Sequence, residues 1–107
     1  MYNLNILLEI NRRYNNNDKL LNLDSAGINN ICHKLDDFFN KKFDLDKFIQ
    51  FCIFLYNKNI FTAGNKQTIL GFMDYVLDEY HLELDRETVK QDEFHKMSSS
   101  CIKEAAW

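Results

Sequence analysis

The chain has 107 residues, 46% of them hydrophobic, 27% charged and 14% aromatic, with a formal net charge of −3. That length predicts a single domain rather than a multidomain enzyme, and its large aromatic side chains can build a core without disulfides or a structural metal. The composition excludes a disordered chain, while the lack of proline and the presence of only three glycines argue against a sandwich or barrel, which turn residues punctuate. An all-α fold is expected, as a small four- or five-helix bundle.

In chain order, the spacing of apolar residues predicts a first helix over Tyr2 to Tyr14, with Ile6, Leu7, Ile10 and Tyr14 on one stripe. The polar run Asn15-Asn16-Asn17-Asp18 ends it, and a short turn is expected over Lys19 to Leu23. Asp24 or Ser25 is placed to cap a second helix, in which Ile28, Ile31, Cys32, Leu35, Phe38 and Phe39 recur at helical spacing. Asp44 can cap a third, with Asp46 in its first turn against the helix dipole.

From Phe48 to Tyr56 every residue except Gln50 is apolar. A helix apolar on all sides belongs in the middle of a bundle, and this run is far too short for the roughly 20 residues that span a bilayer, so it is expected to be the central helix. Phe51, Cys52 and Leu55 should lie in the interior. After the break at Asn57-Lys58-Asn59 and the turn at Gly64-Asn65, a fourth helix should carry Ile69, Leu70, Met73, Val76, Leu77 and Tyr80 on one face. Asp85 is placed to cap a fifth, with a looser stripe of Val89, Phe94, Met97 and Cys101. Residues 81–85 and 43–46 alternate polar and apolar side chains, which leaves a two-stranded contact as the minor alternative. The tail from Ile102 is left between fraying and docking.

Three widely spaced cysteines, Cys32, Cys52 and Cys101, fit reduced thiols, and Cys32 and Cys52 fall on apolar helix faces as packing residues. No secretory leader pattern and no membrane-length apolar run occur, so a soluble cytoplasmic protein is expected. Glycine-rich phosphate motifs are missing; Gly64-Asn65-Lys66-Gln67-Thr68 holds one glycine and cannot form the nest of amides that cradles a phosphate. No cofactor is expected.

Asp78-Glu79-Tyr80-His81 recurs as Asp92-Glu93-Phe94-His95. A carboxylate and a histidine three residues apart share one helical face, the spacing that chelates metal in helical bundles, so a carboxylate/His metal protein is one alternative. No metal ligand is assigned, because solvated polar residues around an aromatic core position explain the same pattern. His33 and Asp37, four residues apart, read as a surface pair.

Charge carries more information. Residues 1–61 sum to +1 and residues 62–107 to −4, and between Asp74 and Glu93 eight acids face only Arg86 and Lys90. Such a surface can steer a basic protein partner, with Asp74, Asp78, Glu79, Glu83, Glu87 and Glu93 as the partner-binding residues. It disfavours nucleic acid, whose phosphates need a basic footprint; the candidates for that alternative are Arg12-Arg13 with Lys19 and Lys41-Lys42 with Lys47. The second and third helices resemble a helix-turn-helix in spacing only, since a recognition helix must expose polar residues and Phe48 to Tyr56 does not. The sequence therefore points to a non-enzymatic partner-binding protein, of the kind of small inhibitor or accessory factor that phages and mobile elements encode. A helical nucleic-acid-binding regulator is the first alternative, and the sequence is compatible with a homo-oligomer.

Overall fold

The computed structural model describes residues 2–14, 21–89 and 91–106, without the side chains of residues 91 and 92. Among the described residues the chain forms helices α1 (Leu4–Tyr14), α2 (Ser25–Phe39), α3 (Leu45–Asn57) and α4 (Asn65–Glu79), followed by strands β1 (Leu82–Leu84) and β2 (Ile102–Glu104). Two 3-10 segments, Gln91–Lys96 and Ser99–Cys101, link the strands.

The helix starts follow from the local chemistry that the sequence carries. Asp24 accepts the Gly27 N–H at 2.8 Å and Asp44 the Lys47 N–H at 3.0 Å, each satisfying a donor that the first turn leaves without a partner. Asn3 accepts the Asn5 N–H at 3.0 Å in the same way at the entry to α1. α4 starts differently: Gly64 sits at φ 75°, where a side chain is disfavoured, and Asn65 folds back to accept from Phe61 N–H and donate to Phe61 C=O. Between α1 and α2 the expected turn is described only from Leu21, which makes an isolated antiparallel bridge with Phe61.

Two expectations about the core are corrected. The central helix is α4, which packs against α1, α3 and β1 and buries Phe72, Met73, Val76 and Leu77 completely. α3 buries Phe48, Ile49, Cys52 and Leu55 on its inner side, but Phe51 and Phe54 are only half-buried on its outer side. All-round apolarity thus reflects a helix with a covered core face and a second, partly open aromatic face. Phe51 is not an interior residue, whereas Cys52 and Leu55 are.

The fold is mostly helical and not strictly all-α. The predicted fifth helix is replaced by a turn, the two 3-10 segments and β2. Asp85 does accept backbone and side-chain hydrogen bonds, from Glu87 N–H at its carboxylate and from Thr88 and Val89 N–H at its carbonyl, but these close a single turn. Thr88 and Val89 are β-branched and extend a helix poorly. The alternating pattern at residues 81–85 wins instead: Leu84 points into the core, and β1 pairs antiparallel with β2 in the register Leu82–Glu104, Glu83–Lys103 and Leu84–Ile102. Asp85 N–H to Cys101 C=O at 2.7 Å and Ala105 N–H to His81 C=O at 2.9 Å extend the pairing at both ends. The partner is the docked tail rather than residues 43–46.

Candidate functional site

α1 and α4 lie close together, and their outer surface forms a shallow depression of about 660 Å³ lined on the α4 side by Asp74, Tyr75, Asp78 and Glu79 and on the α1 side by Arg13 and Tyr14. Periodicity explains the α4 contribution: Asp74 and Asp78 are one turn apart, as are Tyr75 and Glu79, so the four form one continuous strip along the helix. Gly71 forms the floor, where an added Cβ would meet Ile10 Cγ2 at 2.8 Å; the missing side chain lets α1 approach. Tyr2 closes one end, its ring edge-on to Tyr75 at 5.8 Å and its hydroxyl donating to the Glu79 carboxylate. Burial first, and then the hydrogen bond to Glu79 and its charge, holds the Tyr2 phenol well above the ordinary tyrosine range.

Of the six acids proposed for partner binding, the depression gathers Asp74, Asp78 and Glu79. Asp74 is half-buried, ion-paired to Arg86 and hydrogen-bonded by the backbone of Leu84, yet desolvation outweighs both partners and raises its pKa above 3.8, with the nearby Glu83 adding to the rise. Glu83 lies on β1, opposite Lys103 at 3.6 Å. Glu93 pairs with Lys96 at 3.5 Å within the 3-10 segment. Glu87 is exposed on the turn after β1 and stands outside the depression. The acidic run is therefore not one uniform surface: Asp78 and Glu79 present open charge, while Asp74, Glu83 and Glu93 are partly neutralised by neighbours.

Sequence reasoning missed the tyrosines. Tyr14 and Tyr75 are 56% and 52% exposed, the largest exposures among the bulky hydrophobic residues described. Tyr14 falls on the core stripe of the first helix by spacing, yet projects from its end. Tyr75 carries no apolar-stripe signal, and its place one turn before Glu79 was the available clue.

The metal pattern loses its geometric basis. α4 ends at Glu79, and His81 has φ 59°, so Asp78 and His81 do not share a continuous helical face. The second copy falls in a 3-10 segment kinked at Glu93, and the side chain of Asp92 lies outside the described residues. Among the described residues no three His, Cys, Asp or Glu side chains converge as metal ligands. Asp37 pairs with Lys41 at 3.2 Å rather than with His33.

For the nucleic-acid alternative, Arg13 stands beside Asp74, Asp78 and Glu79, a setting that repels phosphate, and Lys19 lies outside the described residues. Lys41, Lys42 and Lys47 come together on a different surface, between α2 and α3. All three cysteines are free: Cys52 is buried, which pushes its thiol pKa up, Cys101 is buried near the Thr88 carbonyl, and Cys32 is half-exposed. No helix among the described residues is long and apolar enough to cross a membrane. Comparison with protein-family models, with curated proteins and with solved structures gives no match for this chain.

Proposed function

We propose that this chain is a non-enzymatic protein-binding domain that docks a basic protein partner on the α1/α4 depression, acting as a small inhibitor or accessory factor. The observation that carries this reading is the placement of exposed Tyr14 and Tyr75 beside the exposed carboxylates of Asp78 and Glu79 in one depression. Tyrosine supplies large contact area at low entropic cost and is enriched among the residues that dominate binding energy, while surrounding charge steers encounter and selects the sign of the partner. The Tyr2 hydroxyl holds Glu79 in place, so part of the charged surface is ordered before binding.

Affinity capture with the full chain as bait, run with and without nuclease, tests the proposal. Recovery of a basic protein that survives nuclease, and that is lost with the Tyr75→Ala and Asp78→Asn double variant, supports it. Recovery of nucleic acid, or a protein retained equally by the double variant, overturns it.

A further inference from the structure

Between them α2 and α3 enclose a half-open groove of about 520 Å³. Its apolar surface is provided by Phe38 and Phe51, whose rings stack in parallel with centroids 4.6 Å apart. The stack continues beyond the groove, Phe51 to Phe54 at 6.0 Å and 16°, and ends where Lys58 Nζ lies 5.1 Å from the Phe54 centroid. All three rings are half-buried. Phe51, Phe54 and Lys58 thereby mark a track along α3 about 10 Å long, from the 1.5 Å rise per residue of a helix.

The rim is weakly basic. Lys34, Lys41, Lys42 and Lys47 line it together with Asp37, Asp44 and Asp46. Two of the acids are already engaged, Asp37 by Lys41 and Asp44 by the Lys47 backbone N–H that it caps. Lys34, Lys42 and Lys47 make no ion pair among the described residues and are exposed. An aromatic track with lysines on its rim complements a segment that carries an apolar or aromatic anchor on one side and carboxylates on the other. A phosphate backbone fits less well, because it presents no apolar anchor to the Phe38–Phe51 stack.

We propose that the α2/α3 groove is a docking site for an acidic amphipathic peptide segment of a partner protein, with an aromatic or large aliphatic side chain seated against Phe38 and Phe51. This groove and the α1/α4 depression share no lining residue, and the two sites select partners of opposite charge. The domain then joins a basic and an acidic partner.

Selection of random 12-residue peptides displayed on phage against the intact chain tests the proposal, followed by affinity measurement of the enriched peptides by fluorescence anisotropy. Enriched peptides should include a class with net negative charge and at least one Phe, Trp, Tyr or Leu. That class should bind about tenfold more weakly to the Lys42→Glu and Lys47→Glu double variant, whose changes are on exposed side chains that leave the core intact, as circular dichroism would check. Phe51→Ala should weaken the same class, and Phe51→Leu should restore part of the affinity. Basic peptides that bind the α1/α4 depression should be unaffected by the lysine changes, which separates failure of this proposal from failure of the other. Three outcomes overturn it: no acidic class is enriched, the acidic class binds the double variant with unchanged affinity, or sedimentation shows a dimer that the double variant dissociates, so that a second copy already covers the groove.

Discussion

Asn11 on α1 donates its side-chain amide to Thr68 Oγ1 on α4 at 2.9 Å, and Thr68 in turn donates to the Gly64 carbonyl at 2.6 Å. Both residues are fully buried, and the same Asn11 amide reaches Ala63 C=O at 3.0 Å. This chain of bonds anchors the end of α1 to the turn that starts α4, where Gly64 supplies no side-chain cap. The Asn11 Oδ1 is buried without a partner among the described residues, a cost the network carries.

Thr68→Val keeps the shape of the side chain and removes the hydroxyl, leaving the Asn11 amide with one acceptor and Gly64 C=O with one donor fewer. A loss of about 1–3 kcal/mol is expected, the usual cost of stranding buried polar groups. Thr68→Ser should retain most of the hydrogen bonding and lose less. Urea denaturation of the two variants checks the order; equal stability of Val and wild type would show that the network contributes nothing.

Gly71→Ala tests the α1/α4 approach. Alanine gains roughly 1 kcal/mol of helix propensity over glycine, but its Cβ would stand 2.8 Å from Ile10 Cγ2, inside a buried contact that cannot swing away. Overpacking typically costs about 1–3 kcal/mol, so the net change should be destabilising, and a compensating Ile10→Leu, which lacks the Cγ2 methyl, should recover part of it. A melting temperature at or above wild type for the single variant would count against close packing at this point.

The two phenylalanines of α3 should behave differently. Phe48 is completely buried, and Phe48→Ala should cost about 3–5 kcal/mol. Phe51 is half-buried on the groove, so Phe51→Ala should cost clearly less, on the order of 1–2 kcal/mol for the apolar area it still covers. Equal losses measured by chemical denaturation would place Phe51 in the core after all.

Asp74 should titrate above an ordinary aspartate, because burial penalises its charge more than Arg86 and the Leu84 backbone favour it. A carboxyl whose folded-state pKa is raised binds its proton more tightly when folded, so its contribution to stability falls as pH rises from 3.8 through the raised pKa and recovers on acidification. Carbon-13 titration of the Asp74 carboxyl should show the raised midpoint, and Arg86→Ala should raise it further by removing the favourable charge. A midpoint at or below 3.8 would contradict this.

Association through the α1/α4 depression should slow with added salt as the Debye length shrinks from about 10 Å to about 3 Å. Asp78→Asn with Glu79→Gln should lower the on-rate to the captured basic partner and leave the unfolding curve nearly unchanged, since Asp78 and Glu79 are exposed. A salt-independent on-rate would remove steering from the mechanism.

Local chemistry and periodicity determined the four long helices, with Asp24 and Asp44 as caps and Ile31, Leu35, Ile69, Met73 and Val76 as core residues, because capping and amphipathic spacing act over neighbouring turns. They also located the acidic run. What only the tertiary structure decided was non-local. β1 recruits β2 some twenty residues later, a pairing whose hydrogen bonds depend on where the tail docks and which overrides the helix start that Asp85 suggests. Whether α3 or α4 is central depends on which apolar face meets a neighbour, a relation that hydrophobicity along one helix does not contain. The same reason separates the acids: Asp74, Glu83 and Glu93 acquire partners from folding or from a local turn, while Asp78 and Glu79 stand with Tyr14 and Tyr75 because α1 crosses close over Gly71.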